Sequence, residues 1–247
     1  QDPHRIEAKP SLIARARSAD LVIATGAELE AGWLPVVLRE SGNSRIQSGM
    51  PGHFEAARFV RMLEIPARVD RADGDVHAAG NPHIQTDPRN FLKVGEALAE
   101  RMASLDPAAA AAYRAGYARF AEGWRGRIAA WEKAAAPLKG VPVVVQHKSF
   151  PYLFDWLGLK EVATLEPKPG IEASAAHLAR VVAQAADTRP RQVLRAAYDA
   201  PRASEGFARQ AGVPAVVLPF TVGGSEAAQD LAGLFDDTVT KLLQALK

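Results

Sequence analysis

The amino-acid order predicts an α/β protein: two Rossmann-like parallel-sheet lobes joined by one long backbone helix. Three observations predict it. Short apolar runs such as "VPVVV" (141–145) alternate with amphipathic helical stretches, the pattern of parallel strands covered on both faces. The strand–helix order occurs in the first part of the chain and starts again after Gly140. Between the two blocks, residues 108–136 are alanine-rich and free of proline, which reads as a helix far longer than the usual mean of about 11–12 residues. The expected division is a lobe over 1–107, a bridging helix over 108–137 and a second lobe over 138–247.

The elements follow in order. "KPSLIARARSA" (9–19) places apolar residues at helical spacing behind Ser11, a candidate N-cap. "ADLVIATG" (19–26) is a strand stopped by Thr25-Gly26. "FEAARFVRMLEIP" (54–66) fits helix or strand. Residues 87–107 form a helix with Phe91, Leu92, Val94, Leu98 and Met102 on one stripe, ended by Asp106-Pro107. The bridging helix repeats Tyr113, Tyr117, Phe120, Trp124, Ile128 and Trp131 at three- and four-residue steps, a stripe for packing along a large surface. Gly116, Gly123 and Gly126 argue against a coiled coil. In the second lobe, strands are expected in 141–147, 161–167, 191–198 and 213–220. Helices are expected in 150–159, 174–188, 201–212 and 228–246.

Composition narrows the function classes. A hydrophobic fraction of 48% and a charged fraction of 23% suit a soluble globular chain. The net charge is +2, and the basic residues are scattered, so nucleic acid is not an expected partner. There is no cysteine, which excludes disulfides and thiolate metal sites. No apolar run reaches the roughly 18–20 residues of a membrane span. The chain opens on Gln1-Asp2 without an initiator Met or a signal peptide, and we expect a processed or partial chain.

Histidine is scarce, six in 247 residues, yet two stand in one local order: Asp2-Pro3-His4 and Asn81-Pro82-His83. Proline fixes φ near about −65° and stiffens each turn. A stiff loop presents a metal ligand preorganised. It equally suits an exposed histidine capping a turn. His147 follows the strand "VPVVV", and in parallel α/β lobes ligands bind beyond the carboxyl ends of strands. His53 and His177 lack such context and read as structural. His77, six residues before His83, reads as a solvated loop residue, with an auxiliary ligand as the alternative.

Three stretches, "DPHRIEAKPS", "GNPHIQTDPRN" and "VVVQHKSFPYLFDWLGL", occur in that order around a long helix. They resemble the zinc- and manganese-binding extracytoplasmic proteins of ABC transporters, the ZnuA/TroA-like family. The resemblance implies two α/β lobes bridged by a rigid helix that restricts opening to small rocking. It implies His4, His83 and His147 as metal ligands, an ABC permease as partner, and a monomer in the periplasm or outside the membrane, with or without a lipid anchor. It also implies that the chain begins inside the first lobe, without the family's signal peptide and opening strand. Manganese binders of the family tend to carry a carboxylate where this chain has His147, so zinc is expected over manganese, in agreement with the preference of zinc for imidazole. Asp87 and Glu7 are candidates for orienting ligands from behind, or for capping or solvating their loops.

One departure stands out. The family supplies an Asp after the last strand of the second lobe, where this chain has Pro219-Phe220. The fourth position is therefore open to water, to Asp199 in "RAAYDAP", or to Glu166 in "TLEP". The expected function is capture of the ion and delivery to a permease. Alternatives are a zinc hydrolase whose open position holds an activated water, with Glu166 or Asp199 as base, or a binding protein for a metal chelate. No HExxH, GxSxG or strand-following GxGxxG motif occurs, so no enzyme is expected.

Overall fold

A computed structural model describes residues 3–67, 77–168 and 170–247. The chain divides into two compact units. One takes the chain up to Ala67 with His77–Ile84 and Arg89–Arg125; the other takes Gln85–Pro88 and Gly126–Lys247.

In the first unit, strands β1 (Val22–Ala24) and β2 (His53–Glu55) pair in parallel, Val22 opposite His53. Helices α1 (Pro10–Arg17) and α2 (Leu34–Ser41) pack together over Ala16, Ala24, Leu34, Val37, Leu38 and Ile46. Helix α1 begins one residue before the expected cap. Lys9 is the N-cap, without a side-chain bond, and Pro10 occupies the first turn, where its missing N–H costs nothing. Ser11 therefore lies inside the helix. The ambiguous stretch 54–66 resolves into the end of β2 and a 3-10 turn over Ala56–Phe59.

Helix α3 (Pro88–Leu105) forms where expected. Ala99 and Ala103 are buried, while the five large apolar residues of the stripe are half-buried. Small residues let the helix approach closely, and Gly95 serves the same end: a Cβ there would stand 3.3 Å from the Tyr117 ring. The Tyr117 hydroxyl donates to the Leu92 carbonyl at 2.9 Å.

The long helix α4 spans Ala110–Ala134, with 3-10 turns at Pro107–Ala109 and Ala136–Leu138. It is shorter than the expected 108–137 because each end tightens beside a proline, Pro107 and Pro137. The aromatic stripe is buried at Trp124, Ile128 and Trp131, while Phe120 stays 37% exposed. The division between units falls within this helix, after Arg125.

The second unit holds a four-stranded parallel sheet of β3 (Pro142–Val145), β4 (Lys160–Thr164), β5 (Gln192–Ala196) and β6 (Ala215–Leu218), in spatial order β4-β3-β5-β6. Val143, Val144 and Val145 are all 0% exposed, and since successive side chains point to opposite faces, both faces are covered. Helices α6 (Ala175–Thr188) and α7 (Arg202–Ala211) pack over Val144 and Val193 through Val181, Ala185 and Phe207. Helix α8 (Leu231–Gln244) sets Phe235 against Trp131 and against Trp156 of α5 (Pro151–Leu157). The chain leaves β3 to one side for β4, then returns to the other side for β5. The strand order reverses there, and a crevice forms beyond the carboxyl ends of β3 and β5 in such sheets. Among the described residues, no helix is long and apolar enough to cross a membrane.

Candidate metal site

In the first unit, the second Asx-Pro-His turn is built from backbone bonds. The Asn81 Oδ1 accepts from the His83 N–H at 3.0 Å, and the Asn81 N–H donates to the Leu63 carbonyl at 2.8 Å. The Asn81 amide donates to Glu64 at 3.0 Å. Gly80 has φ +103, and a Cβ there would fall 2.7 Å from the Leu63 oxygen, so no other residue fits without a shift. Asn90 of α3 holds the far end, donating to the Ile84 carbonyl at 2.9 Å. The result is a His83 ring only 1% exposed.

His4 lies in a 3-10 turn over Pro3–Arg5, half-buried; Asp2 of its turn lies outside the described residues. The His4 and His83 rings stand edge to face, centroids 5.2 Å apart. Two imidazoles on one tetrahedral zinc, with Zn–N at about 2.0–2.1 Å, place their centroids about 5 Å apart. The observed separation is close to that spacing.

His77 departs from the solvated loop residue expected of it. Its ring stacks on His4, centroids 5.4 Å apart and planes 28° apart. Its loop is tied down by Glu28, whose carboxylate accepts from the Ala78 N–H at 2.8 Å and stands 4.0 Å from the His77 Nδ1. Nothing in the sequence signals this pairing, because it joins residues 50 apart.

In the second unit, His147 stands just past β3. Its Nδ1 is 2.7 Å from the Glu166 carboxylate. That contact follows from register. Val145 pairs with Thr164, so extending the ladder by two sets His147 beside Glu166, and the Glu166 N–H donates to the Gln146 carbonyl at 3.1 Å. Gln146 is held in turn: its N–H donates to the Leu194 carbonyl, and its side chain bonds the Ala200 carbonyl and the Ser204 N–H.

Asp199, beyond β5, turns back on its own strand: its Oδ2 accepts from the Ala196 N–H at 2.9 Å. Burial pushes its carboxyl above the usual range. The Ala196 N–H and the His147 ring oppose this, and the Glu166 charge adds to it. Phe220, where the resemblance implies an Asp, is 4% exposed and packed edge-on against Tyr198 at 5.2 Å.

The remaining candidates separate cleanly. Asp87 is 3% exposed, so it does not solvate its loop, whereas Glu7 is exposed. His53 is structural as expected: its Nδ1 lies 3.1 Å from the Ile46 carbonyl and its Nε2 3.4 Å from Glu55. His177 sits on α6 beside Arg180. The structure therefore groups His4, His77 and His83 in one unit, and His147, Glu166 and Asp199 in the other. Among the described residues, no three His, Asp or Glu side chains already stand in a metal-holding arrangement.

Comparison with known proteins agrees with this architecture. A crystal structure of ZnuA superposes with a TM-score of 0.79 at 22% identity, covering 100% of this chain and 87% of that one. A zinc-bound ZnuA with residues 138–173 deleted gives 0.78 at 23%, over 100% and 86%. A cadmium-bound periplasmic metal-binding protein from Candidatus Liberibacter asiaticus gives 0.79 at 16%, over 100% and 88%. At these identities the likeness establishes the two-lobed fold. The zinc-binding lipoprotein AdcA of Streptococcus pneumoniae is 23% identical over 184 residues, 73% of this chain and 36% of that protein, so the chain spans about a third of the curated relatives it matches. The family model for the periplasmic zinc-uptake complex component A, ZnuA, matches residues 1–245, and the chain belongs to that family.

Proposed function

We propose that the protein is a solute-binding component of an ABC transporter that captures a divalent ion, zinc above others, outside the cytoplasmic membrane and passes it to a permease. The observation that carries the reading is the His4–His83 pair at a 5.2 Å centroid separation. Family membership supplies its context. Under this reading His147 is the third ligand, and water takes the fourth position. Three neutral imidazoles suit zinc, whereas manganese favours more oxygen ligands. The zinc in the names of the AdcA relatives and of a ZnuA neighbour supports the same choice, although other neighbours hold manganese, cadmium or nickel.

Transport rather than turnover fits the carboxylates. Glu166 and Asp199, the two candidates for the base of a hydrolase, are each occupied by internal hydrogen bonds.

The test is elemental analysis of the purified protein followed by competition titration of zinc against manganese, with ester, amide and phosphate substrates assayed in parallel. We expect one zinc per chain, displacement of manganese by zinc, and no zinc-dependent turnover. Failure to bind zinc at one equivalent overturns the reading, as does tighter binding of manganese.

A further inference from the structure

We propose that Glu166 is a positioning residue and not a metal ligand: it holds the proton of His147 on Nδ1 and so leaves the lone pair on Nε2 for the ion. The inference rests on the metal-site reading above and assigns the protonation form that reading requires.

The geometry points to it in three steps. First, the contact is made through one oxygen. Glu166 Oε2 lies 2.7 Å from the His147 Nδ1 and accepts from the Gly170 N–H at 2.8 Å. An oxygen already holding two donors is poorly placed to add a cation. Second, the pair is sheltered. The two side chains are 11% and 18% exposed, so solvent competes weakly for the bond. Third, both backbones are fixed. Glu166 and Leu165 donate to the Gln146 and Val145 carbonyls at 3.1 and 2.8 Å. The Ser149 N–H closes on the His147 carbonyl at 2.8 Å. The ring orientation is therefore set by the ladder and not left to a mobile loop.

The chemistry follows from the two nitrogens of imidazole. In the neutral ring one nitrogen carries the proton and the other accepts, and the hydrogen bond made by one decides the role of the other. A carboxylate facing Nδ1 stabilises the Nδ1–H form. A carboxylate behind a ligating imidazole also raises its basicity and fixes its plane. The same contact explains how a second lobe without the family's Asp can still offer a strong third ligand. Negative charge acts on the ion through the ring of His147 and needs no direct bond.

The experiment is nitrogen-15 histidine NMR on the metal-free full chain, at a pH where the ring is neutral, with the His147 signals identified from His147→Ala. We expect Nδ1–H to predominate in the wild type. In Glu166→Ala the majority should change to Nε2–H. In Glu166→Gln, which keeps size and an acceptor oxygen, the change should be partial and in the same direction. Zinc affinity, measured with zinc alone, should fall about 10- to 100-fold in Glu166→Ala and less in Glu166→Gln. An Nε2–H form in the wild type overturns the inference, and so does an unchanged tautomer in the variants. If Glu166→Ala does not fold, Glu166→Gln decides by the same criterion. The tautomer is read without metal, so a wild type that takes up no zinc fails the proposed function, whereas a wild type with the wrong tautomer fails this inference.

Discussion

The two units hold their histidines by different means. In the first, His83 is fixed by its backbone: an Asx turn, the Gly80 approach and a bond from Asn90, with the ring itself sealed from solvent at 1% exposure. Its nearest functional neighbours are other imidazoles, His4 and through it His77. In the second, His147 follows a buried strand and its ring is fixed by a carboxylate, Glu166. One unit preorganises an imidazole through packing and turn chemistry. The other does so through strand register and a charged hydrogen bond. The first device makes the site sensitive to stability, and the second makes it sensitive to the charge and protonation of a single side chain.

The largest effects should come from the three proposed ligands. His4→Ala, His83→Ala and His147→Ala should each weaken zinc binding at least a hundredfold, roughly 3 kcal/mol, by competition titration. The comparison adds a distinction between them. His83→Ala empties a buried position and should lower folding stability by about 1–3 kcal/mol, while His147→Ala, which leaves Glu166 the Gly170 N–H as a partner, should lower it by less. Equal destabilisation by both would break the contrast drawn above.

A smaller effect tests the turn. Asn81→Ala removes the acceptor for the His83 N–H and the partner of Glu64. It should cost about 1 kcal/mol of stability and about tenfold in zinc affinity, since ligand orientation is supplied from behind the ligand. Unchanged affinity with reduced stability would show that the turn serves folding alone.

The smallest effect concerns Asp199. Its carboxylate is directed at the Ala196 N–H, so Asp199→Ala should change zinc affinity by less than about threefold, under roughly 1 kcal/mol. A loss of orders of magnitude would make Asp199 the fourth ligand and remove water from that place.

Much of the fold was legible in the sequence, because apolar runs and helical stripes are local signals. Strands β3, β5 and β6 and helices α5 to α8 lie within the expected stretches, and β4 starts one residue early, at Lys160. The errors fall where tertiary structure overrides local pattern. Ser11 looked like a cap, but Pro10 took the first turn of α1. The large residues of α3 looked like its buried face, but they are half-buried, whereas Ala99 and Ala103 are buried where close helix approach favours small side chains. For the site, His4 and His83 were legible through the Asx-Pro-His order, and their contact is observed. The stacking of His77 was not, since it depends on Glu28, fifty residues away from Ala78. The Glu166–His147 bond was half-legible. Both residues stand just past neighbouring strands, and only the register of β3 against β4 joins them.

The central proposal is that His4, His83 and His147 are ligands of one ion. Zinc K-edge X-ray absorption on the zinc-loaded protein tests it most directly. The account predicts a four-coordinate ion with three imidazoles and one further light atom at about 2.0–2.1 Å, and the loss of one imidazole signature in each of the three alanine variants. A wild-type spectrum with two imidazoles or fewer, or one that His147→Ala leaves unchanged, would contradict it.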